Sequence, residues 1–137
     1  MDSGPEDLQL FNVLIKSMLT TIHDDYLSDK FHFAIYLGVD YGDPIYDNHE
    51  KMDQVQQIFR AMTQDYHIDL VVKKFGRENR GAPAWFWNGL FERALEDGCD
   101  YSYQLNDDIE LQTSGIGPCF IYLFMYSKVG RSNSHRR

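Results

Sequence analysis

Cysteine is scarce in this chain. Its two cysteines, Cys99 and Cys119, show no CxxC spacing and have no histidine beside them. Neither a disulfide framework nor a zinc site fits that pattern. The five histidines (His23, His32, His49, His67 and His135) are scattered and give no ligand spacing. Long apolar runs are also missing. The longest, Cys119 to Tyr126, is far below the ~20 residues that span a bilayer. Met1 is followed by Asp2, Ser3 and Gly4, with no basic or apolar leader pattern. These absences set the expectation of a cytoplasmic chain with no membrane span. Positive charge is in deficit: 13 Lys and Arg stand against 21 Asp and Glu, for a net charge of −8. Four of the bases, Lys128, Arg131, Arg136 and Arg137, fall in an acid-free tail over 128–137. Residues 1–127 therefore carry 9 bases against 21 acids, a net of −12. So acidic a body is a poor partner for nucleic acid, which wants a basic face. No internal repeat is present.

What is there reads as a globular domain. The 137 residues are 43% hydrophobic and 15% aromatic, enough for one real core. Ser3-Gly-Pro-Glu6 has the form of a capping box with an early proline. Leu8, Phe11, Ile15, Met18 and Ile22 then share one helical face, with Leu14 and Leu19 beside them. Phe31 to Val39 reads as a strand and Asp40 to Pro44 as a turn. Met52, Val55, Phe59 and Met62 mark a second helix. Ile68 to Phe75 is a second strand, followed by a polar loop, Gly76 to Gly81. Pro83 opens a third helix carrying Phe86, Leu90, Phe91 and Leu95, with Gly98 placed to end it as a C′ residue. Asp100 to Leu105 is the third strand. This alternation predicts an α/β fold with a mostly parallel sheet and flanking helices.

The chemistry concentrates after that third strand. An apolar, aromatic run (Tyr101, Tyr103, Leu105) leads into the acid pair Asp107-Asp108. Adjacent carboxylates repel, so a shared site favours a cation. Ligands in α/β sheets bind at the carboxyl ends of strands. A divalent metal gripping a phosphate is the simplest chemistry that joins these facts. The plain alternative is a solvated turn, in which Asp is common. Glu110 lies on the same strand face as Asp108 and is a further candidate for the metal. Asp24-Asp25 reads as a solvated loop. Trp85 and Trp87 fall on opposite sides of the third helix, so at least one should pack inward.

Three blocks in register resemble the nucleotide-sugar half of GT-A-type glycosyltransferases of the family 2 group. Val39-Asp40-Tyr41-Gly42-Asp43 resembles the acidic turn after the second strand of that family. Arg80-Gly81 through Asn88-Gly89-Leu90 and Ala94 resembles its "G…arN.gl..A" helix. Asp100 to Asp108 resembles "gdyi..lDdD", the strand ending in the DxD-type motif. The resemblance spans residues 6–112 and implies a Rossmann-like fold. It implies a donor site in which Asp40 accepts from the base, commonly uracil N3–H, with Asp43 in the same turn. Asp108 would ligand Mn²⁺ or Mg²⁺, and Asp107 would support the ribose or the metal's outer shell. Arg77 and Arg80 sit in a loop placed to face phosphate oxygens. Asn106 takes the first motif position, where the family often has Asp, and Trp87 stands where many relatives have Arg. The implied function is sugar transfer from a nucleotide-sugar donor, a UDP-sugar, to a glycan, protein or lipid acceptor. The catalytic base is not assigned.

Two other readings stay open. One is a non-catalytic nucleotide-sugar-binding fragment. The other is an NTPase-like domain, since an apolar strand ending in acids also resembles a Walker-B element. The latter needs GxxxxGK[ST], and Gly76 to Gly81 is followed by Ala82-Pro83 instead. The resemblance also implies an organisation. Residues 1–115 would form a partial GT-A domain whose first strand is missing, and 116–137 a divergent apolar segment with a basic tail. In the family that first strand lies between the strand before the acidic turn and the strand before the DxD motif. The apolar segment Cys119 to Tyr126 is the strand-like stretch left to fill or cover that place.

Overall fold

Phe33-Ala-Ile-Tyr-Leu-Gly-Val39 is a run with no charged residue, and it becomes a strand buried at every position (β1, Phe33–Val39). A strand covered on both faces must read this way. The computed structural model describes residues 4–21, 33–66, 68–100 and 102–112, and the backbone of 123–126. Ser3, Ile22, Asp24-Asp25, Phe31 and Tyr101 lie outside the described residues, as do all the histidines except His49.

Before β1 come a 3₁₀ turn (Pro5–Asp7), a π-helical turn (Leu10–Ile15) and α1 (Lys16–Thr21). After it follow α2 (His49–Thr63), β2 (Ile68–Lys74), a 3₁₀ turn (Arg77–Asn79), α3 (Pro83–Glu96), β3 (Tyr103–Asn106) and β4 (Leu123–Tyr126). The sheet order is β2-β1-β4-β3, and every neighbouring pair is parallel. The chain is therefore α/β with a parallel sheet and flanking helices.

Several boundaries differ from the sequence expectation. The first helix is not one regular element. Its opening turns are wider, with the Lys16 N–H donating to the Phe11 carbonyl. That widening holds Leu10, Phe11, Leu14 and Ile15 together on the buried side. The third strand begins at Tyr103 and ends at Asn106, later and shorter than expected. Leu95, expected inside, is 73% exposed, because Phe86, Gly89, Leu90 and Ala94 take the inward face of α3. The C-terminus of α3 follows expectation. Gly98 has φ +84, its N–H donates to Leu95 O, and the Cys99 N–H donates to Ala94 O. This is the paired bonding of a Schellman motif.

β1 divides the core by alternation. Phe33, Ile35, Leu37 and Val39 pack with Leu10, Phe11, Leu14, Ile15 and Met18 and with Met52, Val55 and Phe59 of α2. Ala34 and Tyr36 point the other way, to Leu90 and Ala94 of α3. The result is three layers, with α1 and α2 on one face of the sheet and α3 on the other. β4 sits between β1 and β3, where the sequence left a place to be filled. Leu123 lies beside Ile35 and Tyr103, and Tyr126 beside Gly38 and Asn106.

Two contacts fix α3 on the sheet. A Cβ on Gly89 would stand 2.6 Å from the Phe75 ring, so only glycine lets the helix come this close. The Gly89 carbonyl also accepts from Lys73 Nζ at 3.1 Å. At the far end, the buried Tyr36 hydroxyl donates to Asp97 Oδ2 at 2.9 Å and lies 3.3 Å from Cys99 Sγ. Arg93 Nε donates to the same Asp97 carboxylate. Burial pushes the Tyr36 pKa far above its ordinary value, and the bonds to Cys99 and Asp97 add to the rise.

Two outcomes follow from this packing. Gly89→Ala gains about 1 kcal/mol of helix propensity but overpacks against Phe75 at a cost of about 1–3 kcal/mol. Urea denaturation should show a net loss, and a more stable variant would mean that the ring swings aside freely. Because the folded state raises the Tyr36 pKa, the stability it confers is intact below the ordinary value of about 10 and is lost as pH rises beyond it. Tyr36→Phe should cost about 1 kcal/mol at neutral pH. It should also flatten the alkaline fall in urea midpoint relative to the parent chain.

Candidate functional site

A parallel sheet gathers the carboxyl ends of all its strands at one edge. Gly38 on β1, Tyr126 on β4 and Asn106 on β3 stand on one rung, with Lys73 of β2 beside Gly38. Asp40 lies two residues beyond Gly38, and Asp108 two beyond Asn106. Both acids thus follow their strands at the same edge of the sheet, Asp40 directly after Val39 and Asp108 within the turn that follows β3. One strand separates their parent strands, which sets those strands about 10 Å apart. The approach of α3 to this edge depends on Gly38, where an added Cβ would lie 3.2 Å from Leu90 and 3.3 Å from Phe75.

The turn after β1 is a set of aspartates, each with different work. Asp40 is only 3% exposed. Its Oδ1 accepts from the Tyr41 N–H at 2.9 Å, and among the described residues it forms no ion pair. A buried carboxylate offers about four acceptor positions, so one such bond leaves capacity for a further donor. Gly42 has φ +77, a turn conformation that favours glycine. Asp43 Oδ1 accepts from both Ile45 N–H and Tyr46 N–H at 2.8 Å. That oxygen is committed to holding the turn. Asp47 accepts from the Gly42 N–H at 2.8 Å and pairs with Lys74 at 3.6 Å, tying the turn to the end of β2. Asn48 caps α2 by accepting from the Lys51 N–H.

On the other side of the edge, Asn106 and Asp107 are half-buried and Asp108 and Glu110 exposed. The Ile109 N–H donates to Asn106 O, closing a turn around the acid pair. Leu111 N–H donates to Ser17 Oγ at 2.9 Å and anchors the segment to α1. Among the described residues no three of His, Cys, Asp and Glu converge into a ready-made metal cage. Asp108 is nonetheless a suitable ligand for Mg²⁺ or Mn²⁺ of the kind held by one or two carboxylates together with substrate phosphates. Asp108 would hold such an ion, with Asp107 beside it.

Arg77 opens the 3₁₀ turn after β2 and Arg80 follows it, at the same edge of the sheet. Both are exposed, and among the described residues neither is ion-paired. The two tryptophans divide as their spacing requires: Trp85 is 64% exposed on the first turn of α3, while Trp87 packs beside Tyr36 and Leu90. A groove of about 430 Å³ lies elsewhere, between α2 and the outer side of β2. No helix among the described residues is long and apolar enough to cross a membrane.

Sequence reasoning passed over Asp47 and Lys74, which join the acidic turn to β2. Their only signal was opposite charge, Asp47 in the turn before α2 and Lys74 at the end of β2, and their contact depends on the pairing of β1 with β2. No family model, no curated protein and no solved structure matches this chain.

The bonds of Asp43 give a direct test. Asp43→Ala removes the acceptor of two backbone donors, the buried Tyr46 N–H and the half-buried Ile45 N–H, and should cost about 1–3 kcal/mol in thermal unfolding. Asp43→Asn keeps a carbonyl oxygen and should recover most of that loss. Equal losses in both variants would show that charge rather than the oxygen acceptor holds the turn.

Proposed function

We propose that this chain is the nucleotide-sugar-binding half of a GT-A-type glycosyltransferase, with a UDP-sugar as donor and Mn²⁺ or Mg²⁺ as cofactor. The observation that carries this reading is the placement of Asp40 and Asp108. They follow β1 and β3 at the carboxyl edge of a parallel sheet, with β4 between those two strands. A nucleoside diphosphate laid along that edge presents its base to one acid and its phosphates to the other.

Each residue then has a task. Asp40, buried and with acceptor capacity to spare, takes the N3–H of uracil; a carboxylate there discriminates an imide donor from a carbonyl. Asp43 keeps the turn in shape beneath the base. Asn106 and Asp107 face the ribose. Asp108 orients the diphosphate through the metal, and Arg77 and Arg80 are free to meet phosphate oxygens. The metal, when bound, supplies neutralisation of charge on the departing diphosphate. None of these residues is assigned as the base that activates an acceptor.

A non-catalytic nucleotide-sugar-binding role shares all these contacts. Asn106 favours it, because an amide in the first motif position lowers the negative charge available to a metal. Sugar transfer to an acceptor separates the two roles.

Isothermal titration with UDP-sugars, with and without Mn²⁺, tests the donor site. Asp108→Ala should abolish the metal dependence of binding. Asp40→Ala should weaken binding by about 1–3 kcal/mol, the cost of an unsatisfied buried partner. Metal-dependent affinity unchanged in Asp108→Ala overturns the assignment.

A further inference from the structure

The outer side of β2 carries backbone groups that β1 does not use. β2 is an edge strand of the sheet, seven residues long, and among the described residues it pairs only with β1. The Phe75 N–H donates to Val39 O, so the backbone groups of the odd-numbered residues turn toward β1. By the alternation of a strand, those of Ile68, Leu70, Val72 and Lys74 turn to the open side. Its side chains are mixed: Leu70, Val71, Val72 and Lys73 are half-buried, and Asp69 near the start and Lys74 at the end are exposed.

We propose that two copies of this chain associate by antiparallel pairing of β2 with β2, with the two-fold axis at Val71. In that register Val71 faces Val71 of the second copy, and Leu70 faces Val72. Residues with outward backbone groups then oppose one another, as an antiparallel ladder requires. Asp69 faces Lys73 of the second copy, and Lys73 faces its Asp69. Both fall on non-hydrogen-bonded pairs, where side chains approach most closely. Lysine on an edge ordinarily discourages pairing. Here the same strand carries an acid at the mirror position, so the lysine discourages only other registers. Slipping the pair by two residues sets Asp69 opposite Val71 or Phe75 instead, and a parallel arrangement loses the mirror relation altogether.

The groove along this edge accommodates the second strand. It is lined by Gln56, Phe59, Arg60 and Thr63 of α2 and by Ile68 to Val71 of β2. The even-numbered residues of β2 lie on the α2 side of the sheet. Val72 of the second copy, facing Leu70, therefore enters beside Phe59, and the stem of its Lys74 covers Ile68. Pairing joins two four-stranded sheets into one of eight and leaves both donor-site edges open. It does not depend on the glycosyltransferase reading.

Sedimentation equilibrium of the full chain, from about 1 to 300 μM, tests the proposal. The parent chain should dimerise in that range. Asp69→Lys and Lys73→Asp should each weaken dimerisation at least about tenfold, because each replaces two attractive pairs with two repulsive ones. An equimolar mixture of the two variants should form a heterodimer, since every cross-strand pair is then opposite in charge. Amide exchange at Leu70 and Val72 should slow with concentration in the parent chain and not in Asp69→Lys. This readout stands even if Lys73→Asp, which loses the bond to Gly89, folds poorly. A parent chain monomeric throughout, or an Asp69→Lys variant with parental affinity, overturns the proposal.

Discussion

The structure depends on β1 being buried on both faces. Seven consecutive residues without a charge can be covered only by layers above and below, and this strand supplies both. Its odd-numbered side chains bind α1 and α2 into one core, and its even-numbered ones bind α3 into the other. Parallel strands need long crossovers, and α2 and α3, which make two of them, lie in these layers. Remove the apolar character of this one strand and both layers lose the centre of the face they pack on.

Close approach is the second constraint, and glycine meets it. Gly38 in β1 and Gly89 in α3 face Phe75 from two sides, and the Phe75 ring sits 4.3 Å from that of Phe86. The first turns of α3 are thereby drawn down to the carboxyl edge of the sheet. The candidate site inherits its shape from this contact, since the exposed arginines and Trp85 approach the edge on the same segment. Acid is handled there with little basic compensation. Asp43 and Asp47 spend their oxygens on backbone N–H groups, and Lys74 is the one base joined to the turn among the described residues. A turn assembled this way keeps Asp40 buried and in place without a cation.

Much of this was legible from residue order. The alternation of helix and strand gave the α/β class, because hydrophobic period is a local property. The end of α3 at Gly98 was legible because a left-handed C′ residue leaves a glycine behind. The candidate acids were visible as acids at strand ends. The irregular first helix was not legible, because Leu10 and Phe11 fit either winding and the neighbouring β1 face selects one. Leu95 misled for a similar reason: its spacing from Leu90 and Phe91 suits a helix face, but Ala94 occupies the contact with the sheet.

The sequence by itself determined the alternation of helices and strands, where the acids fall, and that the sheet is mostly parallel. Those follow from period, turn chemistry and composition, each set by near neighbours in the chain. Only the tertiary structure decided strand order and rung. Which residue stands beside which across a sheet depends on pairings between segments far apart in sequence, as when Tyr126 comes to lie between Gly38 and Asn106. Asp40 and Asp108 come to one edge of the sheet, with β4 between their strands, for that reason, and no local pattern carries it.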